Sequence, residues 1–131
     1  MSRTDRRNSV LVIDDDADFR GLVSMIGELH GVPVIEAPDC SSGLSLLAQE
    51  HSRIKLVVLD YFMPGMDPGA CSAAIIAEAG PAVPVVLITA AADPGARARE
   101  LQLTQWFAKP IELSIITDLL IQNRLATDCA D

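Results

Sequence analysis

The chain has no apolar run of membrane-spanning length. Its longest uncharged apolar stretches are strand-sized, far below the roughly 20 residues a membrane helix needs, and Met1-Ser2-Arg3-Thr4-Asp5-Arg6-Arg7 lacks the apolar centre of a signal peptide. A cytoplasmic protein without a membrane partner is expected. Basic residues are scarce as well: 10 Lys and Arg stand against 18 Asp and Glu, for a net charge of −8. Neutralising phosphates takes clustered cations, so direct nucleic-acid binding is argued against, and residues 1–8 read as a flexible polar arm. Cysteine is sparse too. Cys40, Cys71 and Cys129 form an odd set without zinc spacing, and are expected to be buried or incidental thiols rather than disulfide partners or metal ligands.

What the sequence has is apolar mass. With 131 residues, half of them hydrophobic, there is material for one domain and one core. Residues 9–125 are assigned to that domain and 126–131 to a fraying tail. The stretch from Ile54 to Asp67 organises the rest. Its aliphatic run ends abruptly at Asp60 and is followed by Pro64-Gly65, as expected of a buried strand carrying one carboxylate at its C-terminal tip. Val10 to Ile13 is a second such run and also ends in acid, at Asp14, Asp15 and Asp16.

Helices are expected over 17–30, closed by Gly31; over 39–51, capped by Asp39 or Ser41; over 68–79, capped by Asp67; over 94–102, capped by Asp93; and over 111–125. Three further strands are expected at 32–36, 83–88 and 105–108. Pro33 removes a ladder donor and assigns the first of these to a sheet edge. Five strands alternating with five helices imply a flavodoxin-like doubly wound α/β sandwich, a parallel sheet in the order 2-1-3-4-5. Its switch point falls between the strands that end in Asp14 and Asp60.

Converging carboxylates repel one another unless a cation joins them. Mg²⁺ suits an all-oxygen set and leaves room for water and phosphate oxygens, and no His or Cys accompanies the acids to favour zinc. Asp15 and Asp60 fit direct ligation, with Asp14 acting through water. Thr89 and Lys109 end the fourth and fifth strands, adding a hydroxyl and an ammonium. Together these groups describe a phosphoryl-transfer site with Asp60 as nucleophile. Each residue alone has a plainer reading as a turn, capping or solvated side chain.

The motifs Val12-Ile13-Asp14-Asp15, Leu59-Asp60 followed by Met63-Pro64-Gly65-Met66-Asp67, Ile88-Thr89-Ala90 and Lys109-Pro110 resemble the receiver domain of bacterial response regulators, over residues 9 to 125. The resemblance implies a signalling domain rather than an enzyme. Asp60 would be phosphorylated by a histidine kinase or phosphotransfer protein, with Asp14 and Asp15 as the acidic pair and the Phe62 carbonyl as third protein ligand to Mg²⁺. Thr89 and Trp106 would form the switch, and Lys109 would pair with a phosphoryl oxygen. Helix 4, strand 5 and helix 5 would then present a face to a downstream protein. With no output domain after Leu125, a stand-alone regulator is expected.

Four features depart from the family. Pro68 interrupts the usual Met-Asp-Gly, the chain from Thr89 to Lys109 is about two residues short, Gln102 stands near the glycine that customarily ends helix 4, and Phe62 is bulky and apolar where many members are polar, which would shield an acyl phosphate from water. Ile115, Ile116, Leu119, Leu120 and Ile121 give helix 5 more apolar surface than one packed stripe requires, which suits either a homodimer formed on phosphorylation or a well-buried helix. Two other functions compete: a haloacid-dehalogenase-type Mg²⁺ phosphatase using Asp14 and Asp16, and a receiver-like interaction module that is never phosphorylated. The first requires a later acidic pair at a strand tip, and the sequence offers only Glu112, Asp118 and Asp128.

Overall fold

Side chains alternate across a strand, and here both alternating sets are apolar, so each strand must be covered on two faces. The computed structural model of the protein describes residues 8–50 and 52–130, with side chains as far as residue 122. The arm expected at the N-terminus lies outside these residues except for Asn8. Strands β1 (Ser9–Ile13), β2 (Val34–Ala37), β3 (Ile54–Leu59), β4 (Val85–Thr89) and β5 (Gln105–Ala108) alternate with helices α1 (Ala17–His30), α2 (Cys40–Glu50), α3 (Pro68–Ala79), α4 (Pro94–Glu100) and α5 (Leu113–Ala130). The sheet is parallel, in the order β2-β1-β3-β4-β5, with β2 at an edge as expected, although it runs 34–37 rather than 32–36 and Pro33 lies just before it.

One core joins Leu11, Ile13, Val57, Leu59 and Leu87 to Leu47 of α2, Ile75 of α3 and Ala98 of α4. The other joins Val10, Val12, Val58, Val86 and Ile88 to Phe19, Val23 and Ile26 of α1 and to Ile116 and Leu120 of α5. The two lists are the odd and even positions of the same strands.

Helix ends follow local chemistry. Asp16 Oδ1 accepts the amides of Asp18 and Phe19 to start α1, and Gly31 closes it at φ 72°. Asp39 caps α2 through the amide of Ser42, and Asp67 caps α3 with Pro68 at its first position. Gly27 lets α1 lie against the segment entering β2: a Cβ there would stand 2.5 Å from the Val32 carbonyl oxygen and 2.6 Å from Val34 Cγ2. Gly27→Ala is therefore expected to lower stability by about 1–3 kcal/mol in urea unfolding, against a helix preference of about 1 kcal/mol for alanine.

Several expectations are corrected. Strand β4 begins at Val85 rather than residue 83, and α5 begins at Leu113 rather than 111. Helix α5 continues to Ala130, so the stretch expected as a tail is helical up to that residue. Helix α4 stops at Glu100, two residues early, because Leu101 and Leu103 turn inward and are buried. Gln102 then takes the left-handed position at φ 62°, with Gln102 N–H on the Arg99 carbonyl and Leu103 N–H on that of Ala98. This is the Schellman arrangement, made with glutamine where glycine is usual.

The largest correction concerns cysteine. Cys40 and Cys71 are joined as a disulfide, with Cα atoms 6.0 Å apart. The cysteines are 31 residues apart in sequence and share no spacing motif, and only the packing of α2 beside α3 brings them together. Closing a loop of that length removes unfolded-chain entropy worth about 3.5 kcal/mol.

Candidate functional site

Parallel pairing sets the site. Ile13 lies level with Leu59, so the next residue of each strand, Asp14 and Asp60, emerges at the same edge of the sheet. The Asp60 amide donates to the Ile13 carbonyl and the Asp14 amide to that of Ala37, which fixes both backbones. Thr89 lies level with Ala108, and the Lys109 amide donates to the Thr89 carbonyl, so the lysine leaves the sheet beside the same crevice.

Asp14 is 1% exposed and Asp60 8%, whereas Asp15 is exposed. One carboxylate oxygen from each of the three lies within 4.8 Å of the others. Lys109 Nζ stands 2.7 Å from Asp14 Oδ2 and 3.7 Å from Asp60 Oδ2. The Asp16 amide donates to Asp14 Oδ1 and the Tyr61 amide to Asp60 Oδ1. Burial pushes the Asp14 carboxyl above the usual carboxylate range, against the opposing hydrogen bond from Lys109. A desolvated acid, a second buried acid and one ammonium leave excess negative charge in the crevice, which is the electrostatic condition a hard cation relieves.

Thr89 is fully buried at the tip of β4, where its hydroxyl accepts the Ala91 amide at 3.2 Å. Trp106 is 44% exposed on β5 and does not enter the crevice. Its ring borders Gly95 at the start of α4, where an added Cβ would meet Cζ2 at 3.1 Å. Phe62 is 59% exposed and, with Asp15, Tyr61, Met63, Pro64 and Pro68, lines an open cleft beside the acids.

Sequence reasoning missed three supports. Arg20 Nη1 donates to the Asp14 carbonyl at 2.7 Å, and the Phe19 ring lies 4.4 Å from Lys109 Nζ, so α1 steadies both ends of the Asp14–Lys109 pair. Tyr61, next to Asp60, reaches α4 through a 2.7 Å hydrogen bond to Glu100, and Arg97 lies over its ring at 5.6 Å. That carboxylate holds the Tyr61 hydroxyl above the usual phenol range. Only the position of Tyr61 beside the acceptor could have drawn notice in the sequence.

The response regulator receiver domain model matches residues 10–121. The chain belongs to the response regulator receiver domain family. As such it is a signalling domain of two-component systems, in a family that takes a phosphoryl group on aspartate and binds Mg²⁺ at acidic residues. The receiver is 34% identical over 98 residues to the probable transcriptional regulator ycf27 of Porphyridium aerugineum, covering 75% of this chain and 39% of that protein. It is also 34% identical over 121 residues to an uncharacterized 14.6 kDa protein of Leptolyngbya boryana, covering 89% of this chain and 90% of that one. Against the ycf27 proteins of Porphyridium aerugineum and Galdieria sulphuraria, the receiver spans 39% of their length.

Among solved structures it matches the chemotaxis protein CheY4 of Vibrio cholerae with a TM-score of 0.74, at 23% identity over 88% of this chain and 98% of that one. The N-terminal domain of an uncharacterized protein from Wolinella succinogenes matches with a TM-score of 0.79, at 24% identity over 95% and 99%. Those two likenesses concern the fold. No helix among the described residues is long and apolar enough to cross a membrane.

Proposed function

We propose that this receiver takes its phosphoryl group on Asp60 and uses it to change the surface formed by α4, β5 and α5. The observation that carries the reading is the convergence of Asp14, Asp15 and Asp60 within 4.8 Å, with Lys109 bridging two of them. An Asp60 carboxylate oxygen attacks the donor phosphorus, the bond from phosphorus to the donor nitrogen or oxygen breaks, and Asp60 becomes an acyl phosphate. Asp15 and Asp60 would hold Mg²⁺ directly, with Asp14 through water and the Phe62 carbonyl as third protein ligand. Bound there, the ion would offset negative charge on the phosphoryl oxygens.

Lys109 then exchanges its contact with Asp60 for a phosphoryl oxygen, and Thr89 gives up the Ala91 amide to turn its hydroxyl onto the same group. The chain after Thr89 leads directly into α4, where Trp106 rests on Gly95, so a shift of that segment is passed to the exposed indole. The donor is a sensor histidine kinase or a phosphotransfer protein, the setting is cytoplasmic, and the output is a downstream protein contact or a homodimer formed on phosphorylation.

Incubation with acetyl phosphate and Mg²⁺ tests the reading. Intact mass should show one added phosphoryl group that is absent without metal. An unmodified mass, with no Mg²⁺ binding, would defeat it.

Phe62, exposed and lining the cleft beside Asp15, would shield the acyl phosphate from water. Phe62→Asn is expected to speed loss of the phosphoryl group several-fold, measured as decay of the phosphorylated mass after the donor is removed.

A further inference from the structure

The Cys40–Cys71 disulfide contributes no atom to the acidic crevice, yet it joins two segments that each end at the site. Cys40 opens α2, three residues after Ala37, whose carbonyl holds the Asp14 amide. Cys71 lies in the first turn of α3, and its amide donates to the carbonyl of Asp67, the last residue of the acceptor loop 61–67. The cross-link therefore ties the far end of the loop that starts at Asp60 to the segment behind Asp14.

We propose that Cys40 and Cys71 are a redox-responsive modification site whose disulfide holds the acceptor loop in place. The loop's role in phosphoryl retention rests on the function proposed above, whereas the tether itself does not. Both cysteines are buried, at 1% and 2% exposure, so reagents reach them only when a helix end opens. Opening is easier at the α3 end: Asp67 caps its first turn, but Pro68, Gly69 and Ala70 bury little apolar surface there. On the other side, Cys40 is the first residue of α2, so only the first turn of that helix needs to open to uncover its sulfur.

With hydrogen peroxide as oxidant, the Cys40 thiolate attacks a peroxide oxygen, the O–O bond breaks, and the departing hydroxide takes a proton to leave as water. Cys71 then attacks the sulfenic sulfur of Cys40, the S–O bond breaks and a second water leaves. Two thiols and one peroxide thus give one disulfide and two waters. A dithiol reductant reverses this through a mixed disulfide and departs oxidised.

The test compares peroxide-treated and dithiothreitol-reduced protein. Alkylation with iodoacetamide in denaturant should add two fewer groups to the oxidised form. In the native oxidised form, amide hydrogen exchange over residues 61–70 should be slower, and after acetyl phosphate the phosphoryl group should persist several-fold longer. Cys71→Ala and Cys40→Ala should erase both differences. Equal alkylation of the two forms overturns the site. A disulfide that forms without altering exchange over 61–70 overturns the tether, and one that slows exchange but leaves phosphoryl lifetime unchanged overturns its effect on retention. Should neither form take up phosphate, the acceptor assignment fails and hydrogen exchange alone decides the tether.

Discussion

Asp60→Asn is expected to abolish phosphoryl uptake while leaving the fold intact. An amide oxygen can still accept the Tyr61 N–H that Asp60 Oδ1 accepts at 2.7 Å, so the tip of β3 keeps its backbone hydrogen bond. The amide is too poor a nucleophile to form an acyl phosphate, and it removes one of three acids crowded within 4.8 Å. The variant should therefore be more stable than the parent in urea without Mg²⁺. It should also gain less from added Mg²⁺, because stabilisation by a ligand follows its affinity for the folded state. Mass spectrometry after acetyl phosphate treatment and urea unfolding with and without the ion check the two halves of this expectation.

Lys109→Met is expected to be the most damaging single change at the crevice in metal-free protein. It leaves Asp14, 1% exposed, with only the Asp16 amide for its carboxylate. Removing one member of a buried pair costs about 3 kcal/mol at neutral pH. The pH dependence has a definite sign. Burial already raises the Asp14 carboxyl above its ordinary 3.8, so between 3.8 and the folded value the folded protein holds a proton that the unfolded chain has released. The stability associated with neutral Asp14 is fully present below pH 3.8 and is lost as pH rises through the higher folded value. Without Lys109 the folded value climbs further and the loss spans a wider window. The stability gap between Lys109→Met and the parent should consequently narrow on acidification from pH 7, as urea unfolding in metal-free buffer would show. A gap that widens would contradict the assignment of Lys109 as the partner of a buried carboxylate.

Much of this site was legible because strand ends leave a strong trace in sequence. Aliphatic runs that stop at Asp14, Asp60 and Thr89 state both where a buried strand lies and what it carries at its tip. Pro33 identified the edge strand, and with it the strand order that brings Asp14 beside Asp60. Helix boundaries were less legible where the apolar pattern was thin. Nothing in Pro94 to Gln102 shows that Leu101 and Leu103 will be drawn into the core and end α4 early. Least legible were contacts between elements far apart in sequence. Cys40 with Cys71, Tyr61 with Glu100, and Phe19 under Lys109 depend on how helices pack across the sheet, and no local spacing encodes them. Trp106 was located by motif alone, and its contact with Gly95 of α4 became visible only in the packed structure.

Asp16 bears on the competing phosphatase reading, which would use Asp14 and Asp16. The Asp16 carboxylate is engaged by the first amides of α1, and Asp14 is engaged by Lys109. Asp60 by contrast carries one short backbone hydrogen bond and a looser contact with Lys109, which favours it as the acceptor. The most direct measurement is therefore the position of the phosphoryl group. The phosphorylated protein would be treated with borohydride, which converts an acyl phosphate to an alcohol, then digested and sequenced by tandem mass spectrometry. Conversion confined to Asp60 is the predicted result. Conversion at Asp14, Asp15 or Asp16 would contradict the account.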